Sequence, residues 1–339
     1  MTEILLGPGI VAVLVKIGLV LAVVMTIVSV MVLGERKVAG WIQDRVGPNR
    51  AGPWGLLQPV ADGVKLIFKE ELIPDQADKP LFLLAPVLTV VPVLILLAVV
   101  PLGPDITLFG RTFTLSLAGD VNVGVLYILS VASIAVYGIV IAGWSSNSKY
   151  ALLGGLRSTA QMVSYELALG LAFIGPILLA DSLSLQQIVE RQRSLPYVVW
   201  QPIGFLIFLL ASIAELNRAP FDMPEAEQEL TAGYHTEYSG MKFALFFMAE
   251  YGKMIAVSFI AASLFLGGYW GPFVDRLPLL GPVYLFLKVF ALLFFMVWVR
   301  ATLPRLRYDR LMAFGWKIML PLALLNVVVT GVLVVVSGI

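Results

Sequence analysis

Eight apolar stretches punctuate this chain, at about residues 10–33, 81–100, 121–143, 160–180, 200–214, 241–266, 282–300 and 317–337. About 20 apolar residues is the length an α-helix needs to cross a bilayer. Inside lipid the backbone finds no water to bond, so a spanning segment must close its own hydrogen bonds as a helix. The pattern therefore predicts an all-α polytopic membrane protein with about eight transmembrane helices, and its mean hydropathy of +0.93 agrees. The whole of 1–339 reads as a single membrane domain. The fifth stretch is the weakest, because Gln201 and Pro202 cut into its start and Glu215 closes it. The first stretch has no basic leader and no small-residue cleavage site, so it reads as a retained span rather than a signal peptide.

An even number of spans puts both termini on one side. One set of loops, about 34–80, 144–160, 215–241 and 300–317, holds sixteen Lys and Arg residues, and the other holds four, Arg111, Arg191, Arg193 and Arg276. The positive-inside rule then places the long loops in the cytoplasm and both termini outside. Within the first loop, Leu56, Leu57, Val60, Val64, Ile67 and Phe68 recur at helical spacing with polar residues between them. That pattern predicts an amphipathic helix on the membrane surface. The preceding "DRVGPNRAGPWG" is rich in turn formers and reads as a structured loop.

The chain has no cysteine and one histidine, His235. Disulfides, thiolate-held iron–sulfur clusters and paired histidine ligation of haem are thereby excluded within it. If it serves electron transfer, its partners carry the metals. A net charge of +1 without a basic patch gives no reason to expect nucleic acid. No nucleophile elbow, P-loop or dinucleotide glycine fingerprint is present.

The acids are distributed unevenly. "ELNRAPFDMPEAEQELTAGYHTEYSG", residues 215–240, holds six of the 22, namely Glu215, Asp222, Glu225, Glu227, Glu229 and Glu237. Asp222 and Glu225 fit a helix N-cap and its capping box, and a solvated acidic loop is the plain alternative to function. Capping does not account for Glu215, Glu227 and Glu229. Crowded carboxylates raise one another's pKa values, as a proton-accepting cluster requires. Two further acids sit inside spans, where a charge is costly and needs a reason. Glu166 is about six residues into the fourth span. Glu250 is about nine residues into the sixth, roughly 13 Å deep at 1.5 Å per residue. Lys253 shares a helical face with Glu250, so a structural ion pair between them is the plain reading there. Lys16 and Lys288 lie near the outer ends of their spans, where they can snorkel. On pattern alone, Arg36, Lys37, Arg45 and Arg50 read better as positive-inside charges meeting lipid headgroups than as a site.

Three segments together carry a resemblance. "GERKVAGWIQDRVGPNRAGPWGLLQPVADGVKLIFKE", "WSSNSKYALLGGLRSTAQMVSYEL" and the acidic segment above resemble the H-type membrane subunits of respiratory complex I, NADH:quinone oxidoreductase, known as subunit 1 in mitochondria. The likeness runs in order through nearly the whole chain. Met223 stands where leucine is common in that family, and the HTEY form of the third segment favours a bacterial inner membrane over a mitochondrial one. The resemblance implies a proton-pumping translocase of the respiratory chain, with quinone (ubiquinone or a relative) as substrate. It implies partner subunits that hold the iron–sulfur clusters and FMN, that close the quinone cavity from above, and that continue the membrane arm as small and antiporter-like subunits. By motif position, Glu35, Arg36, Lys37, Asp62, Lys65, Arg218 and Phe221, with Glu225 and Glu227, line or gate that cavity. Glu166, Glu215, Glu225, Glu227, Glu229 and Glu250 form the acidic, proton-coupling set. No metal, haem or flavin is expected on this chain.

Other readings compete. A sister subunit of an energy-converting hydrogenase shares the fold without needing quinone, and the intact "NRAPFDMPEAEQEL" argues for the quinone enzyme. A stand-alone secondary transporter would show a midplane site and commonly inverted repeats, and no clear repeat is present. A plain membrane anchor would have no need of Glu166 and Glu250 within its spans.

Overall fold

The computed structural model describes residues 8–104, 106–108, 111–113, 116, 118–223 and 233–337. They fall into two compact units, 1–65 and 66–339, each of which is described by itself.

The first unit is built on α1, Pro8–Ile42. This helix runs well past the apolar stretch, so Glu35, Arg36 and Lys37 stand on its last turns rather than in the loop expected from residue 34. The side chain of Lys16 lies outside the described part. After α1 the chain folds tightly: the Arg45 amide donates to the Gly40 carbonyl at 2.9 Å and that of Leu57 to Ala51 at 3.0 Å. Gly55 holds φ at +78°, and a side chain there would strike the Pro48 carbonyl. The turn-rich stretch is thus a structured loop. It leads into α2, Gln58–Phe68. Leu56, Leu57, Val60, Val64, Ile67 and Phe68 are all exposed, the unpartnered apolar stripe expected of a helix lying in a membrane surface.

The second unit contains α3 (Lys79–Leu96), α4 (Gly124–Ser145), α5 (Lys149–Ala180), α6 (Leu185–Arg191), α7 (Tyr197–Trp200), α8 (Pro202–Glu215), α9 (Gly240–Phe265), α10 (Leu280–Thr302), α11 (Tyr308–Phe314) and α12 (Leu320–Ser337). A short antiparallel hairpin, β1 (Ile106–Leu108) with β2 (Arg111–Phe113), decorates the connection from α3 to α4. Over the described residues of the whole chain, seven helical stretches are long and apolar enough to cross a membrane, α11 and α12 forming one of them through the π-turn Gly315–Met319. The eighth apolar helix, α8, has only 14 residues. Its shortness has a local cause: Pro202 brings no N–H, and Gln201 breaks the helix with φ −131° and ψ 58°. The break is held within the bundle, where Gln201 Nε2 donates to Thr330 Oγ1 on α12 at 2.9 Å.

Close approach organises the bundle. α3 packs along α4, α4 on α5, α5 on α8 and α12, and α9 on α3 and α10. Gly138 of α4 lies so near α3 that a Cβ would stand 2.9 Å from the Ala85 carbonyl. α9 is buried on every side from Tyr251 to Phe265. A helix apolar and buried all round is the centre of such a bundle, and this one carries Glu250 and Lys253. Lys288 does not snorkel. Its Nζ donates to the carbonyls of Leu266, Gly268 and Trp270 at 2.7, 2.8 and 2.7 Å. It thereby satisfies acceptors that the end of α9 and the following turn leave open, a better partner for an ammonium than distant headgroups.

Candidate functional site

Glu215 and Arg218 are three residues apart in the segment leaving α8, and Glu250 and Lys253 are three apart on α9. Each couple reads acid then base. The two meet crosswise: Lys253 Nζ bonds to Glu215 Oε1 at 2.8 Å, and Arg218 bonds to the Glu250 carboxylate. The ion pair expected within α9, Glu250 with Lys253, is therefore replaced by two pairs between segments. The physical reason is that α8 ends against α9 with opposite charges at a matching spacing. Glu215 and Arg218 are each 3% exposed and Lys253 is 7% exposed. Charges so deep need both a counter-charge and further hydrogen bonds. Lys253 Nζ also donates to the Glu215 carbonyl at 3.3 Å. The Arg218 guanidinium lies over the Tyr251 ring, 4.5 Å from its centre, as a cation–π contact.

Beside the pairs lies a cavity of about 50 Å³, bordered by Glu215, Asn217, Glu250, Lys253, Thr89 and Met162. At roughly 10–15 Å³ for each water, it has room for a few water molecules and none for an organic ring. Tyr234 forms part of the wall. Its turn, Gly233–His235, rests directly against α5, where a Cβ on Gly154 would fall 2.6 Å from the Gly233 Cα. Glu166 stands one helical turn from Met162 and accepts a hydrogen bond from the Ser133 hydroxyl of α4. Arg157, the nearest cation in sequence, instead sits over the Tyr308 ring at 5.9 Å. Phe221 is buried, its ring 5.9 Å from that of Tyr165.

In the first unit, Asp62 gathers two of the sequence-predicted cations. Arg36 Nη1 is 2.6 Å from its carboxylate and Lys65 Nζ 3.8 Å, while Gln58 Nε2 donates to it at 3.2 Å. Lys37 lines an open recess with Trp41, Asp44 and Arg45. Glu225, Glu227 and Glu229, and the capping box that Glu225 would complete with Asp222, lie outside the described residues. Among the described residues no group of three or more His, Cys, Asp or Glu could hold a metal ion.

Sequence reasoning missed Gln161, which is fully buried and donates from Nε2 to the carbonyls of both Ala214 and Phe221 at 2.7 Å. A polar side chain inside an apolar span was the available signal. It also passed over Tyr165, whose hydroxyl donates to the Leu311 carbonyl at 2.9 Å.

Burial among the rings of Tyr234, Phe243 and Phe247 pushes the His235 pKa down to about 4. The unfolded imidazole titrates near 6.5, so as pH falls between those values the unfolded chain binds a proton that the folded chain refuses. Stability is then lost as pH drops from about 6.5 toward 4, by up to about 3 kcal/mol at 1.36 kcal/mol per unit. Thermal unfolding of the purified assembly at pH 7.5 and at pH 5 should show a smaller acid-induced fall in Tm for His235→Phe than for wild type. Equal falls would show that His235 is not held neutral.

The chain is similar over nearly its whole length to known proteins. A family model described as NADH dehydrogenase matches residues 15–331. An H-type subunit of NADH-quinone oxidoreductase from Geobacter metallireducens is 53% identical over 335 residues, covering 96% of this chain and 96% of the relative. The H-type subunit from Thermomicrobium roseum is 52% identical over 326 residues, 93% of this chain and 94% of its own. That from Syntrophotalea carbinolica is 51% identical over 319 residues, 94% and 95%.

Proposed function

The chain belongs to the NADH dehydrogenase family, and on that premise we propose how it couples quinone reduction to proton movement. It is a membrane subunit of an NADH-quinone oxidoreductase, respiratory complex I, and works with the other subunits of that assembly in a bacterial inner membrane. The redox centres belong to those partners. The observation that carries the coupling proposal is the pair of crossed ion pairs around a water-sized cavity at the centre of the bundle.

In this reading the first unit meets the quinone. Arg36 and Lys65 pair with Asp62 near the exposed stripe of α2, while Glu35 and Lys37 flank Arg36 on the end of α1. In the second unit, Arg218, on the loop after α8, is the cation that holds Glu250, and Phe221 is buried three residues on. Quinone reduction takes up two electrons and two protons and passes through a negative charge. An anion that draws on Arg218 loosens its hold on Glu250. A carboxylate losing its cation takes up a proton more readily. Water admitted to the cavity would then connect Glu250 with Glu215, and Glu166 extends the acids one turn further along α5. By sequence, Glu225, Glu227 and Glu229 belong to the same acidic set. Because the pairs are coupled, protons move through them as a group rather than one residue at a time.

The test uses the assembled complex in sealed vesicles. Asp62→Ala should lower quinone reduction about tenfold or more while NADH oxidation by an artificial acceptor survives. Glu166→Gln should lower quinone reduction and proton uptake together. Equal loss of the artificial-acceptor activity would mean failed assembly, and wild-type rates for both variants would remove these residues from the mechanism.

A further inference from the structure

We infer that Gln161 is a positioning residue for the charge-coupling site, a clasp that fixes Glu215 and Arg218 opposite their partners on α9; the inference rests on the coupling proposed above. One nitrogen, Gln161 Nε2, donates to the carbonyls of Ala214 and Phe221 at 2.7 Å each. Both ends of the segment 214–221 are thereby tied to a single point on α5. Between those ends stand both residues that α9 needs, Glu215 for Lys253 and Arg218 for Glu250. Asn217, between them, points its Nδ2 to the sulfur of Met162, the neighbour of Gln161, at 3.3 Å. Pro220 of the same segment accepts from the Leu306 amide at 2.9 Å, which braces the loop from its other side.

The chemistry of the clasp argues for position rather than stability. Gln161 is 0% exposed, and its Oε1 accepts no hydrogen bond among the described residues. Burying an unpaired amide oxygen costs about 1–3 kcal/mol, and an apolar side chain of similar size would avoid that cost. What an apolar residue cannot supply is two donors from one atom. Glu215 is the last residue of α8, but beyond it the segment leaves the helix, with Asn217 at φ +54°, so no helix ladder fixes Arg218. Without Gln161 its charges would keep their identity and lose their register.

The experiment compares Gln161→Leu, Arg218→Gln and the double variant in assembled complex. Gln161→Leu should leave artificial-acceptor activity intact and lower quinone reduction by the order of ten- to a hundredfold, as misplacement of a reacting group does. Gln161→Asn, one methylene shorter and unable to span both carbonyls, should show the same loss more mildly and serves if the leucine variant does not assemble. If Gln161 acts through Arg218, the double variant should be no slower than Arg218→Gln alone. Losses that multiply would reduce Gln161 to a general structural residue, and wild-type turnover for Gln161→Leu or Gln161→Asn would overturn the clasp. Wild-type turnover for Arg218→Gln would instead overturn the coupling reading on which the clasp depends.

Discussion

Lys253→Met is expected to cut the amount of assembled complex several-fold. It leaves the Glu215 carboxylate, 3% exposed, with its ammonium partner gone. Breaking a buried pair from one side costs about 3–5 kcal/mol, a large part of the roughly 5–15 kcal/mol by which a folded protein is stable. Glu215→Gln alone strands the lysine instead and should do similar damage. The double change, Glu215→Gln with Lys253→Met, removes both charges and should restore assembly, since a neutral couple of similar volume carries no uncompensated charge. Complex content in membranes, read by artificial-acceptor activity and by size, separates these cases. Normal content for Lys253→Met alone would mean that the pair does not hold the site together.

Glu250→Gln is expected to act differently. The glutamine oxygen still accepts from Arg218, and the guanidinium keeps its place over Tyr251. Glu250 is 20% exposed against 3% for Glu215, so this change strands Arg218 less completely than Glu215→Gln strands Lys253, and assembly should fall less. What is lost is the proton site, and removing a positioned acid–base group lowers rates by about 10²–10⁴-fold. Quinone reduction and proton uptake should fall together toward the lower end of that range, with electron entry unaffected. Wild-type rates in both assays would show that Glu250 is a structural counter-ion for Arg218 and nothing more.

The class of fold was legible because lipid imposes it: runs of apolar residues can cross a bilayer only as helices. The α2 surface helix was legible for a similar reason, since its stripe has one period and one face. The ion pairing was not. Spacing showed that Glu250 and Lys253 share a helical face, but it could not show that the end of α8 would present Glu215 and Arg218 to that face at the same separation. Nor does hydropathy record how a chain approaches itself. Lys288 near the end of a span reads as a snorkelling cation, and only the fold brings three carbonyls to it. Gln161 was not legible because it carries no charge to mark it inside a span, and its amide acts through two backbone oxygens 53 and 60 residues away in sequence.

The most direct test of the coupling claim is proton uptake by sealed vesicles carrying the Glu215→Gln, Lys253→Met double variant, measured alongside quinone reduction. The neutral couple satisfies the bundle but offers no charge to move. The expected result is an assembled complex with normal artificial-acceptor activity that has lost quinone-linked proton uptake. Full uptake at a normal rate of quinone reduction would contradict the account, because protons would then be passing without the pair that borders the cavity.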